Sequence, residues 1–196
     1  MLSFFLKDLR FSLILGVFFG LTFVSFIIYF GEFQGFTAIW LWFLRLGHVF
    51  SGIVWLGLLY YFNFVQIPSM RQIPEGQKPA INNYIAPLAL WWFRWSAVST
   101  ILLGLLLAQQ QGYLLEAFLL SNSHWAIGLG MYIGIIMFLN VWLIIWPNQK
   151  IVLGLIKSDN KAKQYSSQQV LLFSRINTIL SIPMLVSMTV HQNIFA

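Results

Sequence analysis

The sequence predicts an all-α integral membrane protein, a five-helix transmembrane bundle forming a single domain over residues 1–196. Three observations predict it. The chain is 59% apolar and 8% charged, with mean hydropathy +0.79, too apolar for a soluble domain. It contains five runs of about twenty apolar residues between polar breaks, the length that crosses a hydrocarbon core at 1.5 Å per residue. The basic residues alternate from one break to the next.

The spans are predicted at residues 11–30, 39–64, 87–108, 125–146 and 170–192. The first follows Lys7 and Arg10; it is too long for a signal peptide and no small-x-small cleavage site follows, so it reads as a retained helix. The break GEFQG after it and the break QQQGYLLEAFLLSNSH after the third span contain no Lys or Arg. Arg71 and Lys78 separate spans two and three, and Lys150, Lys157, Lys161 and Lys163 separate four and five. The positive-inside rule then sets the N-terminus in the cytoplasm and the C-terminus outside. The net charge of +6 thus encodes topology; it forms no basic run, and no nucleic-acid partner is expected. With no cysteine, disulfides, thiolate metal sites, iron–sulfur clusters and c-type haem attachment are excluded.

The second span, WLWFLRLGHVFSGIVWLGLLYYFNFVQ, carries Arg45 and His48 inside an apolar run, where ionisable groups are costly and mark a functional lead. They lie one turn apart on one face, and Gly52, four beyond His48, clears space along it. This pattern suggests a haem b bound through His48 over Gly52, with Arg45 toward the propionates. The plainer alternative is a helix-packing histidine bonded to a backbone carbonyl. By the predicted topology His48, His124 and His191 all lie in the outer half. His191 is the favoured second axial ligand, and the three imidazoles together would suit zinc or copper. In the fifth span Asn177, Ser181, Met184, Met188 and His191 share one face, and Pro183 offers a kink. Gly128, Gly130 and Gly134 open the fourth span to close helix contact. At the cytoplasmic ends Asn63, Arg94, Asn140, Arg175 and Asn177 are candidates for a polar pocket for a substrate or quinone, or else for cross-helix hydrogen bonds.

The motifs of serine hydrolases, zinc proteases, P-loop enzymes and dinucleotide-binding domains are absent. The five acids, Asp8, Glu32, Glu75, Glu116 and Asp159, all fall outside the predicted spans, which speaks against an ion-coupled pump.

The strings LGHVFSGIVWLGLLYYFNFVQIP, WWFRWSAVST, MFLNVWLIIWPNQKIVLG and RINTILSIPMLVSM resemble the membrane domain of the bacterial membrane-bound urate hydroxylase family, also called the urate oxidase N-terminal family. The resemblance covers spans two to five. His48, Asn140, Trp142, Pro147, Asn148, Gln149, Lys150, Arg175, Asn177 and Pro183 stand at the family-like positions, and His191 matches loosely. The resemblance implies a multi-pass protein of the bacterial inner membrane with a periplasmic C-terminus, of purine-oxidation type and haem-dependent. Typical members have more helices and a C-terminal c-type cytochrome domain, so this sequence reads as a short form. The expected function is redox: b-type haem passing electrons between a small substrate or quinol and another carrier such as a cytochrome c. The alternatives are a His-lined transporter of metal or small solute and a non-catalytic membrane subunit of a redox complex.

Overall fold

The computed structural model describes residues 7–31, 35–121 and 124–194, with side chains through residue 190. Every regular element in it is helical: α1 (Leu9–Phe30), α2 (Phe36–Met70), α3 (Glu75–Gln110), the short α4 (Leu114–Phe118), α5 (Trp125–Val152) and α6 (Asn160–Ile194). All but α4 are long and apolar enough to cross a membrane. The chain divides into two compact units, residues 1–40 and 41–196.

In the first unit, Asp8 caps α1 by accepting a hydrogen bond from the Arg10 amide at 2.9 Å. No α1 residue is buried, so its apolar circumference suits a lipid surround.

The second unit closes α2, α3, α5 and α6 into a ring. Phe62 of α2 meets Phe93 of α3 edge-on at 5.6 Å, and Trp95 of α3 meets Trp142 of α5 at 5.9 Å. Asn140 of α5 donates to Asn177 Oδ1 of α6 at 2.9 Å, and Asn177 Nδ2 returns a bond to the Met137 carbonyl at 3.0 Å. Tyr60 of α2 shares a 2.8 Å hydrogen bond with Ser181 of α6, completing the circuit. The core inside takes Trp55 and Leu59 from α2, Leu90 and Ala97 from α3, Met137 and Val141 from α5, and Met184 from α6. Outside, large apolar side chains stand open, with Ile179 71% and Leu143 67% exposed, as lipid-facing positions should be.

The helices run well past the predicted spans, and prolines explain how three of them continue. Pro68, Pro87 and Pro147 cannot donate to the carbonyl four residues back, and their rings crowd it. In each case the preceding residue bonds five residues back instead: Ile67 to Phe62, Ala86 to Ile81 and Trp146 to Val141. The result is three π-helical segments, Tyr61–Gln66, Ile81–Ile85 and Asn140–Ile145. Pro183, where the sequence suggests a kink, lies within an uninterrupted α-helical α6.

The three α5 glycines meet three different neighbours. Gly134 faces Ile101 of α3, Gly130 packs on Ser187 and Met188 of α6, and Gly128 lies against the short α4. At Gly128 the approach is closest, since a Cβ there would stand 2.0 Å from the Ala117 carbonyl oxygen. Gly128→Ala must push α4 off α5, at about 1–3 kcal/mol by the usual cost of overpacking. Gly57→Ala, with nothing within 4 Å, serves as the control. Thermal unfolding in detergent should show a clear loss for Gly128→Ala and none for Gly57→Ala.

Candidate functional site

Toward the end of the ring that carries Arg71 and Lys150, the core gives way to a cavity of about 330 Å³. Phe62, Leu90, Phe93 and Ile145 form its apolar walls, and Gln66, Arg71, Asn82, Gln149, Ser167 and Ser174 supply its polar groups. All three π-helical segments contribute: Phe62 and Gln66 from the first, Asn82 from the second and Ile145 from the third. Such segments recur at functional sites, because the extra residue per turn redirects side chains that an α-helix would send elsewhere.

Two buried oxygens around the cavity lack partners among the described residues. Gln66 Oε1 belongs to a lining residue. Asn63, 1% exposed, donates from Nδ2 to the Leu59 carbonyl at 2.9 Å and to Ser174 Oγ at 2.7 Å, while its Oδ1 has no partner. Those two bonds fix the amide orientation, because a carbonyl can only accept. A buried unpaired acceptor costs about 1–3 kcal/mol, a cost that a hydrogen-bond donor entering the cavity could relieve at Gln66. The lining contains no carboxylate, imidazole or thiol, and Arg71 is its charged member. These groups can recognise a neutral or anionic guest by hydrogen bonding. They do not form a metal-ligand set.

At the other end, His48 Nδ1 lies 2.8 Å from the Thr100 carbonyl of α3. The carbonyl accepts, so Nδ1 carries the proton, and a neutral imidazole then presents the Nε2 lone pair. Nε2 has no hydrogen-bond partner among the described residues. The ring lies against Gly104, where a Cβ would fall 2.7 Å from the imidazole. The packing histidine and the metal-binding histidine share this tautomer, which leaves Nε2 as the one coordination position His48 could offer a metal. The space over Gly52, expected to cradle the haem plane, faces the Thr100 methyl group of α3, 3.8 Å from where a Gly52 Cβ would stand.

Arg45 joins a separate cluster at that end. Burial pushes the Tyr113 phenol up, and the Arg45 guanidinium opposes the shift. Tyr113 stacks on His124 at 5.1 Å, and His124 Nδ1 lies 2.7 Å from Glu116 Oε2. Among the described residues no three of His, Cys, Asp and Glu gather as a metal site; the His191 side chain lies outside the described residues.

Protein-family models, curated proteins and solved structures were compared with this chain, and none matches.

The expected polar pocket is partly redistributed. Asn140 and Asn177 tie α5 to α6, Arg94 lies over the Trp146 ring of α5, and Arg175 is exposed. Asn63 alone of the five hydrogen-bonds to a cavity-lining side chain, Ser174. Two signals could have pointed further. The Ile67-Pro68, Ala86-Pro87 and Trp146-Pro147 dipeptides each follow a segment that lines the cavity, and Thr100 and Gly104 place small residues four apart along the contact with α2.

The absence of native cysteine makes the cavity open to a direct probe. Ser174→Cys, on the cavity wall, should react with a small water-soluble thiol reagent, whereas Ser181→Cys, fully buried above it, should not. Equal protection of both would show that water does not reach the site.

Proposed function

We propose that this chain is a multi-pass protein of the bacterial inner membrane, N-terminus in the cytoplasm, that binds a small planar hydrogen-bonding solute in the amide-lined cavity. The observation that carries the reading is Gln66 Oε1, a buried acceptor on a cavity-lining side chain with no partner among the described residues. The resemblance of NVWLIIWPNQK and NTILSIPML to the urate hydroxylase membrane domain makes an oxidised purine the guest of choice. Such a ring alternates N–H and C=O along its edges. Its N–H groups match Gln66 Oε1, and its carbonyls match Asn82, Gln149, Ser174 and Arg71. The apolar walls suit its faces. The lining offers recognition groups and no proton carrier, so binding is the activity it supports.

Equilibrium dialysis of labelled urate against the purified protein in lipid nanodiscs tests this reading. Wild type should bind saturably, and Gln66→Leu should bind about tenfold more weakly, the loss of roughly one hydrogen bond. No binding to wild type, or equal binding to both, contradicts the reading. Reaction of Ser174→Cys with an impermeant reagent from the cytoplasmic side alone would match the proposed orientation.

A redox role is a second reading, with which the His48 tautomer is compatible because it leaves Nε2 as the acceptor. In it His48 Nε2 holds haem b and a cytochrome c or similar carrier is the partner. Bound there, haem b supplies one-electron chemistry, and the Nδ1 bond to Thr100 orients the imidazole. Protein purified from haem-supplemented cells should show a reduced-minus-oxidised b-type spectrum that His48→Ala removes. A wild-type preparation without haem absorption ends this reading and leaves His48 as a packing residue.

A further inference from the structure

Arg94 projects from α3 onto α5, where its guanidinium carbon lies 3.3 Å from the centre of the Trp146 ring. Lys150, one turn further along α5, places its ammonium 5.8 Å from the same ring. Two cations therefore share one indole, and among the described residues no carboxylate pairs with either. Arg94 Nη1 is buried without a hydrogen-bond partner, and so is the indole nitrogen of Trp142. Trp142, one turn before Trp146 on α5, makes an edge contact with Trp95, the residue next to Arg94. All of these groups are donors: a guanidinium, an indole N–H and an ammonium. Burying unpaired donors is costly, and a cation kept without a counter-charge in a membrane protein needs an external anion.

Depth identifies what that anion is. From Trp125, at the start of α5, to Trp146 is 21 residues, roughly 32 Å of helix at 1.5 Å per residue, which matches the hydrocarbon thickness. With Trp125 at one membrane face, the Arg94 site would fall at the other. Trp91, Trp92 and Trp95 stand exposed around it, as in an interfacial aromatic belt. Arg94 and Trp142 do not line the cavity, so these donors form a cluster apart from it.

We propose that the α3–α5 seam at Arg94 binds the phosphate of an anionic lipid headgroup. The guanidinium supplies directed donors, Trp142 adds one more, and Lys150 adds charge at the rim. A phosphodiester with two free oxygens accepts from all three. The acyl chains would run along the exposed apolar surface of the same helices.

Native mass spectrometry of the detergent-purified chain, titrated separately with phosphatidylglycerol, diacylglycerol and inorganic phosphate, tests the assignment. Wild type should retain one phosphatidylglycerol in preference to diacylglycerol. Arg94→Gln should weaken it about fivefold or more, the contribution of one basic residue near a headgroup. Trp142→Phe, which keeps the ring and Arg94 but removes the N–H, should weaken it measurably and guards against a fold defect in the arginine variant. Arg175→Gln, an exposed charge on α6, should leave it unchanged. Three outcomes overturn the proposal: equal retention of phosphatidylglycerol and diacylglycerol, equal losses for Arg94→Gln and Arg175→Gln, or binding of inorganic phosphate that excess phosphatidylglycerol does not displace.

Discussion

Three backbone amides that hydrogen-bond one residue further back than usual govern the working end of this molecule. In a bilayer no water can satisfy a stranded carbonyl, and a longer hydrogen bond next to a proline is one way to repair the ladder, although α6 passes Pro183 without one. α2, α3 and α5 make the same repair, with the residue before Pro68, Pro87 and Pro147 reaching five positions back. Each repair widens a turn and rotates the rest of its helix, and the three widened turns face one another around the cavity. A regular α-helix at these positions would send Gln66, Asn82 and Ile145 along other directions.

The ring that supports those turns is joined by small residues and short polar bonds more than by bulk. Ser181, Asn177 and Ser174 on α6 are each buried and each bonded to a different partner, Tyr60, Met137 with Asn140, and Asn63. Such contacts fix register between helices whose apolar faces would otherwise slide, since lipid offers those faces an equally apolar surround. The stripe continues directly into the cavity through Ser174. Structural bonding and the proposed solute recognition therefore draw on the same face of α6, next to Asn63, whose Oδ1 has no partner among the described residues.

The architecture is largely legible in the sequence because it rests on long-range averages. Hydropathy over twenty residues survives the replacement of any one of them, and the all-α class with five long apolar helices comes from it. The polar stripe of α6 is legible for the same reason, as a periodicity. The site is less so. A spacing of three or four shows that Arg45, His48 and Gly52 share a face, but not what stands opposite. The neighbours are Thr100 and Gly104 for His48, Thr100 for Gly52 and Tyr113 for Arg45. The extent of α2, α3 and α5 exceeds the predicted spans because those spans are bounded at polar breaks, whereas these helices run on through polar residues and past Pro68, Pro87 and Pro147 by widened turns.

The two functional readings occupy opposite ends of α2. His48 and Gln66 are 18 residues apart, roughly 27 Å along the axis, so a guest in the cavity and a group on His48 would not touch. The claim on which the preferred reading depends is that proline-driven turns hold open a cavity whose buried acceptors await a guest. A high-resolution structure of the protein in lipid nanodiscs with urate present tests it most directly. The i to i−5 bonds at Ile67, Ala86 and Trp146 should be present, with non-protein density within hydrogen-bond reach of Gln66 Oε1. Regular α-helical bonding through those segments, with the Gln66 carbonyl paired to a neighbouring side chain in a closed core, would contradict it.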